Sequence, residues 1–473
     1  MNPKMRNGII CLALIASFTL PLMAQAGEEP NLGATRVTQA DITGGGLSFM
    51  DIRLAGRRMF TTPFNKLDGY GVAYDKNVAD HTSFSNRPTL QNNGTFLRVN
   101  GLDSQSCNEC HGIVSHASIP AVLGVGGVGG ITSSAMFMTR DIDVDDSDLN
   151  GFAFFDGRLI NPPFIFGAGG IEAIGKEMTT DLQALKMQAL LNPNTIVNLV
   201  TKAVNFGTIS HDGSNFDLSN IQGIEEDLVV RPFGRKGENF TTRDFDRGAM
   251  QFHFGMEPVE VVGAGNDGDG DGVTDEILIG EMSALHVFAN TQVKPRIVPQ
   301  TGAGFGFALF SSIGCTECHR PVMTTLTNNH TFSFPDVGDD PSANIYGTIS
   351  LASAPMSFNN IPGGGIAAFC FADLKRHDMG PDLAESFGAS IDNEFTTARL
   401  WGVADTAPYL HDGRALTLTD AIMAHGGEAA TSKNNFASMQ DFEKVAILSM
   451  LRSLRTPENP NAELGGPEED INN

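Results

Sequence analysis

The sequence predicts a mainly helical fold made of two halves, with a small β-hairpin insertion in the first half. Three observations support this prediction. The motif Cys-x-x-Cys-His occurs twice, at residues 107–111 and 315–319, with 208 residues from one copy to the next. Apolar residues recur at helical spacing before the first copy and after the second. Alternating residues on both sides of Asp212-Gly213 are typical of a hairpin.

Each Cys-x-x-Cys-His motif can hold a haem covalently. The two thiols add across the vinyl groups of the haem, and the histidine that follows becomes the proximal ligand of the iron. The sequence therefore predicts a protein with two c-type haems. The residues predicted to hold them are Cys107, Cys110, His111, Cys315, Cys318 and His319.

Other interpretations of the cysteine motifs explain less of the sequence. With 6 Cys and 11 His in 473 residues, two chance matches to the pattern are excluded. A zinc site would leave the histidines that directly follow the motifs unexplained. A thioredoxin-like redox pair needs only one motif and no histidine after it.

The first 26 residues have the pattern of a secretory signal peptide. Lys4 and Arg6 precede an apolar run, and Ala24-Gln-Ala26 is a small-x-small cleavage pattern. Export also suits c-type haem, because the attachment needs reduced cysteines outside the cytoplasm. Cys11 would leave with the signal, so Cys370 is the one mature cysteine without a haem. We expect a periplasmic protein without a membrane anchor.

Composition narrows the choice of partners and interiors. The formal net charge of -24 argues against nucleic acid or an anionic membrane as a partner. The chain has 32 Phe but only 4 Tyr and 1 Trp, which suits apolar haem pockets, although ordinary core packing explains most of these rings.

Capping residues and apolar spacing predict several helices and one hairpin. Apolar residues between Asp51 and Phe60 predict a helix that ends before Pro63. Asp181 is a predicted cap of a helix that runs to Leu191. Strands at 206–210 and 216–221 would form the hairpin. Near the C-terminus, a short helix capped by Thr417 or Thr419 ends at His425, and an amphipathic helix covers 442–454.

A similar short segment, here called the echo segment, follows each haem motif. Residues 161–167 and residues 398–402 are both apolar-aromatic segments that end in glycine. Duplication of one haem module is the simplest explanation.

An acidic loop offers a calcium site. Its carboxylates alternate along the chain, as oxygen ligands of Ca²⁺ do in an EF-hand, and Gly272 lies at the turn. Position 12 is Leu278 where an EF-hand has a glutamate, so Glu276 or Glu281 would have to substitute. A merely acidic turn is the alternative. The predicted calcium ligands are Asp267, Asp269, Asp271 and Asp275.

The C-terminal third of the chain resembles a known family. Residues 406–422, Thr-Ala-Pro-Tyr-Leu-His-Asp-Gly-Arg-Ala-Leu-Thr-Leu-Thr-Asp-Ala-Ile, resemble the bacterial dihaem cytochrome c peroxidases. The run that starts at Phe371, Leu400-Trp-Gly402 and Ala424-His-Gly-Gly-Glu428 resemble the dihaem oxidoreductase family of peroxidase-like enzymes, also called thiol oxidoreductases. The likeness is specific over about 315–455 and implies two cytochrome c-like domains whose haems exchange electrons.

The resemblance also implies a second axial ligand for the C-terminal haem. The peroxidases place a methionine where this chain has His425, so the carried-over pair is His319 and His425, with Met423 as a rival ligand. A C-cap histidine stabilised by the helix dipole is the alternative role of His425. A histidine in place of methionine would lower the potential of this haem.

The sequence does not identify the distal ligand of the N-terminal haem. It has no dependable match to the distal histidine loop of the peroxidases, so an open site is one alternative. We expect His377 and His411 to bind propionates or backbone rather than iron. The candidate distal ligands are His81, His116, His253 and Met256.

These features predict a division of the chain. They predict a signal peptide (1–26), a mobile lead-in (27–47), an N-terminal haem module with the β-insertion and acidic loop (48–290), a C-terminal cytochrome c-like domain (291–456) and a disordered tail (457–473).

The predicted function is that of a periplasmic dihaem c-type oxidoreductase. The C-terminal haem would relay electrons, and the N-terminal haem would react with peroxide or another oxidant or substrate. A small periplasmic cytochrome c or copper protein would be the redox partner. The alternatives are a non-catalytic electron-transfer cytochrome and a dihaem oxygenase that resembles the rubber-cleaving enzymes.

Overall fold

A computed structural model of the chain describes residues 28–71, 97–98, 101–113, 134–143, 154–387 and 390–464. The predicted signal peptide and the candidate ligands His81 and His116 lie outside these residues. Within them, no helix is long and apolar enough to cross a membrane.

Ten α-helices are found among the described residues. They are α1 (Gln39–Thr43), α2 (Phe49–Thr61), α3 (Ala168–Leu191), α4 (Thr242–Ala249), α5 (Val259–Val262), α6 (Ile279–Asn290), α7 (Ala303–Ser312), α8 (Leu418–Ala424), α9 (Ala430–Ser438) and α10 (Asp441–Arg452). A π-helical turn, Met250–Phe254, continues α4.

The same part of the chain contains eighteen short strands. They are β1 (Leu97–Arg98), β2 (Gly101–Leu102), β3 (Ser134–Asp143), β4 (Phe154–Ile160), β5 (Val197–Thr201), β6 (Val204–His211), β7 (Phe216–Asp217), β8 (Arg296–Ile297), β9 (Met323–Thr324), β10 (Asn329–Ser333), β11 (Ile345–Ser350), β12 (Asn359–Asn360), β13 (Ile366–Ala368), β14 (Arg376–Asp378), β15 (Glu385–Phe387), β16 (Ser390–Asp392), β17 (Glu394–Thr396) and β18 (Leu454–Arg455).

The prediction of a mainly helical fold is wrong. The described strands form seven small sheets, in the orders β2-β1-β3-β4, β5-β6-β7, β12-β13-β9, β10-β11, β14-β17, β15-β16 and β18-β8. Most of these strands are two to six residues long, which is too short to give a period-2 signal that can be recognised in a sequence. The fold is therefore mixed, with small sheets interspersed among the helices.

The hairpin at Asp212-Gly213 is present as β6 and β7, which pair in antiparallel register. The side chain of Asp212 accepts hydrogen bonds from the backbone N–H groups of Ser214 and Asn215. Gly213 supplies the positive φ that this turn needs. The hairpin belongs to a three-stranded sheet, because β5 pairs with the other edge of β6.

Each haem motif lies beside a pair of crossed helices, and a glycine lies at each crossing. In the first half, a Cβ on Gly56 of α2 would lie 2.0 Å from the carbonyl oxygen of Ala284 on α6. In the second half, a Cβ on Gly306 of α7 would lie 1.9 Å from the carbonyl oxygen of Ala446 on α10. Only glycine permits these backbones to approach so closely.

Three buried clusters form the interior of the described residues. The N-terminal core packs α2, the π turn and α6, and it reaches Cys107. The C-terminal core packs α7 and α10 against Cys315. The central core lies on α3 and joins β5 and β6 to residues 323–401. The domain boundaries given above stay a prediction.

Candidate haem sites and the segments between them

The C-terminal motif forms one tight helical turn. Helix α7 ends at Ser312, and Gly314, with φ +92°, turns the chain into the 3-10 turn Cys315–Glu317. The N–H of His319 donates to the carbonyl oxygen of Cys315 at 3.0 Å. This geometry places the imidazole one turn after the first thiol, as a covalently held haem requires.

His319 is oriented by the backbone. Its Nδ1 lies 3.1 Å from the carbonyl oxygen of Phe371, so Nε2 is left to bind a metal. Burial, together with a smaller effect of the nearby His425, lowers the pKa of His319 to about 4. The ring is therefore neutral and can offer its Nε2 lone pair.

His425 faces His319. It is the C-cap of α8, and its Nδ1 lies 2.8 Å from the carbonyl oxygen of Ala421. The two ring centroids are 6.3 Å apart. Metal–imidazole bonds are about 2 Å long, so two imidazoles on one ion have centroids roughly 6 Å apart. The arrangement fits the predicted pair, and the rival ligand Met423 is 42% exposed.

The N-terminal motif has the same local geometry. The 3-10 turn Cys107–Glu109 is followed by His111, whose N–H donates to the carbonyl oxygen of Cys107 at 2.9 Å. The Nδ1 of His111 lies 2.6 Å from the carbonyl oxygen of Pro163. Phe245 on α4 meets the imidazole edge-on, with 6.0 Å between centroids. Burial lowers the pKa of His111, so this ring too is neutral.

The residues fit two haem groups. All three histidines use Nδ1 for a backbone carbonyl and keep Nε2 for a ligand, as metal-binding histidines commonly do. The four motif cysteines are free thiols rather than disulfides. When bound, a haem would supply iron-centred electron transfer and oxidant chemistry.

His253 and Met256 are the described candidate ligands for the distal side of the N-terminal site. His253 lies in the π turn, and its Nδ1 is 3.3 Å from Oδ2 of the buried Asp103. After burial, the charge of His253 also contributes to the lowered pKa of His111. The His253 side chain is 28% exposed. Met256, the other described candidate, is fully buried in the N-terminal core.

The two echo segments contact each other between the motifs. A Cβ on Gly167 would lie 2.7 Å from the ring of Trp401, and a Cβ on Gly402 would lie 2.7 Å from the ring of Phe164. Both glycines have positive φ, +77° and +80°. The contact is reciprocal, because the glycine of each segment packs on an aromatic ring of the other.

This interface joins the two proximal histidines. Pro163, which accepts from His111, precedes Phe164, and Phe164 packs on Gly402. On the other side, the carbonyl oxygen of Phe371 is the partner of His319 Nδ1, and the carbonyl oxygen of the preceding Cys370 accepts from the N–H of Leu400. The side-chain amide of Asn161 also donates to two carbonyl oxygens of the 398–411 stretch, at 2.8 and 2.9 Å. The spacing of the motifs does not reveal these contacts, because tertiary folding creates them.

His377 and His411 take protein partners. His377 lies between two carboxylates, with Nε2 2.9 Å from Asp373 and Nδ1 2.7 Å from Glu428. Burial alone would lower the pKa of His377, but its bond to Asp373 raises it to about 11. His411 stacks on Phe395 at 4.5 Å between centroids.

The acidic loop gathers its carboxylates in two overlapping groups. Oxygens of Asp267, Asp269 and Asp271 lie within 4.8 Å of one another, and so do those of Glu257, Asp269 and Glu276. Asp275 belongs to neither group, and its side chain accepts from the N–H of Gly265. The sequence does not single out Glu257, because it precedes the loop by ten residues.

Glu276 is the most unusual member of this loop. It is 2% exposed, and its Oε1 has no hydrogen-bond partner. Burial raises the pKa of Glu276 to about 9. The alternative substitute, Glu281, is already paired with Arg36 at 2.5 Å. Glu276, rather than Asp275, therefore shares a carboxylate group with Asp269 and Glu257.

Comparison with known proteins adds a family. Residues 271–454 match the family model described as "Di-haem oxidoreductase, putative peroxidase". This part of the chain is similar to the di-haem oxidoreductase family. The family predicted from the motifs is therefore confirmed over these residues, and the family implies haem cofactors. The matched range contains the C-terminal motif, and the N-terminal motif lies before it. No curated protein matches the chain.

Proposed function

We propose that the protein is a periplasmic dihaem c-type oxidoreductase that reduces peroxide or a related oxidant at its N-terminal haem. The observation that carries this proposal is the asymmetry of the two sites. His319 faces a second imidazole at the distance of a shared metal, whereas His111 has a partly exposed, carboxylate-paired histidine beside it. One site is arranged to relay electrons, and the other to admit a small molecule.

In this proposal, His253 moves the proton that peroxide must give up. Asp103 accepts a hydrogen bond from Nδ1–H and so holds the tautomer in which Nε2 is a base. The open edge of the ring lets a small oxidant reach it. Reduction of one peroxide to two water molecules consumes two electrons and two protons, and the His253–Asp103 pair can pass protons to and from solvent.

The echo segments provide the route for electrons between the sites. The protein chain connects His319 to His111 through Phe371, the hydrogen bond between Cys370 and Leu400, the contact of Gly402 with Phe164, and Pro163. Rigid packing favours fast transfer because little reorganisation accompanies a change of charge. The reciprocal glycines hold the two aromatic rings against opposite backbones.

The redox partner is proposed to be a small electron-transfer protein that docks beside the C-terminal haem. Phe305 on α7 and Phe442 on α10 are 51% and 64% exposed, and their rings stack at 6.5 Å. Helix α7 leads directly into Cys315. An exposed apolar patch with an aromatic centre is typical of a protein docking surface.

A calcium ion in the acidic loop is part of the proposal. Asp267, Asp269, Asp271 and Glu276 would supply the oxygen ligands. A bound cation would compensate the crowded carboxylates, and burial of Glu276 makes that compensation important.

The proposal is tested by the reaction of half-reduced protein with peroxide in stopped flow. Wild type should react, and His253→Ala should react roughly 10²–10⁴-fold more slowly because a positioned acid–base group is lost. His211→Ala, which removes a histidine of the hairpin, is the matched control and should keep the wild-type rate. A wild type that ignores peroxide but binds dioxygen would replace this proposal with an oxygenase.

A further inference from the structure

A polar cluster is completely buried in the central part of the molecule. Glu172 of α3, His286 of α6 and His330 of β10 have relative exposures of 0%, 0% and 1%. The Nε2 atoms of both histidines lie near one carboxylate oxygen. His286 Nε2 lies 2.9 Å and His330 Nε2 lies 3.4 Å from Glu172 Oε1. No motif in the sequence brings these three residues together.

The hydrogen bonds of the cluster are incomplete. Neither ring nitrogen of His330 has a hydrogen-bond partner, and Nδ1 of His286 has none. Leaving buried polar atoms unpaired is costly, so such atoms call for an explanation. A neutral imidazole offers a nitrogen lone pair that can bind a cation. Phe332 meets both imidazoles edge-on at 5.0 Å and fixes their orientation.

Glu172 is ionised, and its second carboxylate oxygen, Oε2, is hydrogen-bonded. The ammonium group of Lys176 lies beside the buried carboxylate and favours its ionised form. Its Oε2 accepts from the N–H of Thr242 at 2.9 Å and from the amide of Asn290 at 3.1 Å. His286 Nε2 also lies 3.1 Å from Oε2, and Oε1 lies within 3.4 Å of both histidines.

Lys176 also contacts Oε1, at 2.8 Å, and donates to the carbonyl oxygen of Thr331 at 2.8 Å. A carboxylate oxygen has two lone pairs, so it can accept from an ammonium group and bind a metal at the same time. Lys176 would then act as a supporting partner of the ligand, as hydrogen bonds behind metal ligands commonly do.

We propose that Glu172, His286 and His330 bind one divalent transition-metal ion, of the zinc type, that is separate from the haem irons. Two imidazoles and one carboxylate are a common ligand set for such ions. Ligand atoms 2.9 and 3.4 Å apart fit bonds of about 2 Å to one shared ion. The site would join α3 and α6 of the N-terminal half to β10 of the C-terminal half, which indicates a structural role.

Metal analysis tests this proposal without any assay of activity. Protein purified without chelator and dialysed against Zn²⁺ should contain about one zinc per chain by mass spectrometry, besides the haem iron. The zinc K-edge absorption should show only nitrogen and oxygen ligands. The double variant His286→Ala with His330→Ala should lose the zinc and keep its haem. His211→Ala, which removes another buried histidine outside the cluster, should keep both.

Several results would overturn the proposal. One is a wild type that takes up no zinc and whose melting temperature does not change with Zn²⁺, since a ligand of the folded state must stabilise it. Another is a K-edge spectrum with sulfur ligands, which would place the ion elsewhere. This spectrum is measured on wild type, so it decides even where the double variant does not fold. Haem content and peroxide turnover of the same samples report separately on the function proposed above.

Discussion

The two haem modules share a scaffold and differ in what faces the iron position. In both, a glycine permits two helices to cross closely: Gly56 of α2 against α6, and Gly306 of α7 against α10. In both, the histidine of the motif gives Nδ1 to a backbone carbonyl. Opposite His319 is another histidine at 6.3 Å between centroids, whereas His111 has His253, which is paired with a carboxylate. We infer that the same scaffold can relay electrons or react with an oxidant, depending on a few residues beyond the shared scaffold.

The modules also differ in how much chain separates helix and motif. Only 313–314 lie between the end of α7 and Cys315, whereas 62–106 separate α2 from Cys107. The long N-terminal connection includes β1 and β2. Local geometry of the motif is preserved despite this insertion, because Phe64 donates to the carbonyl oxygen of Gln105 and brings the two ends together.

The largest expected effect concerns haem content. Replacing Cys315 and Cys318 with alanine should lower covalently bound haem from two groups per chain to one, because the thioether bonds of one module are lost. Pyridine haemochrome analysis measures this. Cys370→Ala is the matched control, since this buried cysteine is far from either motif in sequence, and it should retain both haems. If acid acetone extracted the haem from wild type, the haem would not be covalently bound, and the comparison of the two modules would be refuted.

The next effect concerns the helix crossings. Gly306→Ala should lower the free energy of unfolding by about 1–3 kcal/mol, because its Cβ would collide with the backbone of Ala446. Gly56→Ala should cost a similar amount if the modules are equivalent. Gly304→Ala in the same helix as Gly306 is the control. It has open space around it and should stabilise by up to about 1 kcal/mol. Denaturant titration distinguishes these outcomes, and equal effects of Gly304→Ala and Gly306→Ala would refute the crossing.

The smallest expected effect concerns calcium, which would distinguish the N-terminal module from its partner. Chelation should lower the melting temperature of wild type by a few degrees, since a ligand of the folded state stabilises it. Glu276→Gln should remove this response, whereas Asp275→Asn should keep it, because Asp275 lies outside both carboxylate groups. A response that survives Glu276→Gln but not Asp275→Asn would restore the ligand set predicted from the sequence.

The local elements with strong sequence signals could be predicted. The helix predicted from 442 to 454 is α10, Asp441–Arg452, and the helix predicted to end at His425 is α8, capped by Thr417. Helix α3 is longer than predicted. It begins at Ala168, and its glycines hide it from propensity arguments. Gly169 is required there, because a Cβ would lie 2.2 Å from the carbonyl oxygen of Asn290.

The remainder depends on tertiary contacts that leave no local pattern. The small sheets between 323 and 396 consist of strands of two to six residues, and no periodicity marks them. The pairing of Asp103 with His253 spans 150 residues. Glu257 joins the acidic loop from outside the recognisable motif. In each case the chemistry is carried by residues whose proximity only the fold creates.

The central claim is that the two haems differ in their distal ligation, and the spin state of the resting ferric protein tests it most directly. Electron paramagnetic resonance should show one low-spin haem, held by His319 and His425, and one haem with a high-spin component that shifts on addition of cyanide. His425→Ala should convert the low-spin haem to high spin without releasing it. A protein whose haems are both low-spin in both oxidation states, and which binds neither cyanide nor carbon monoxide, would contradict the claim and leave a plain electron carrier.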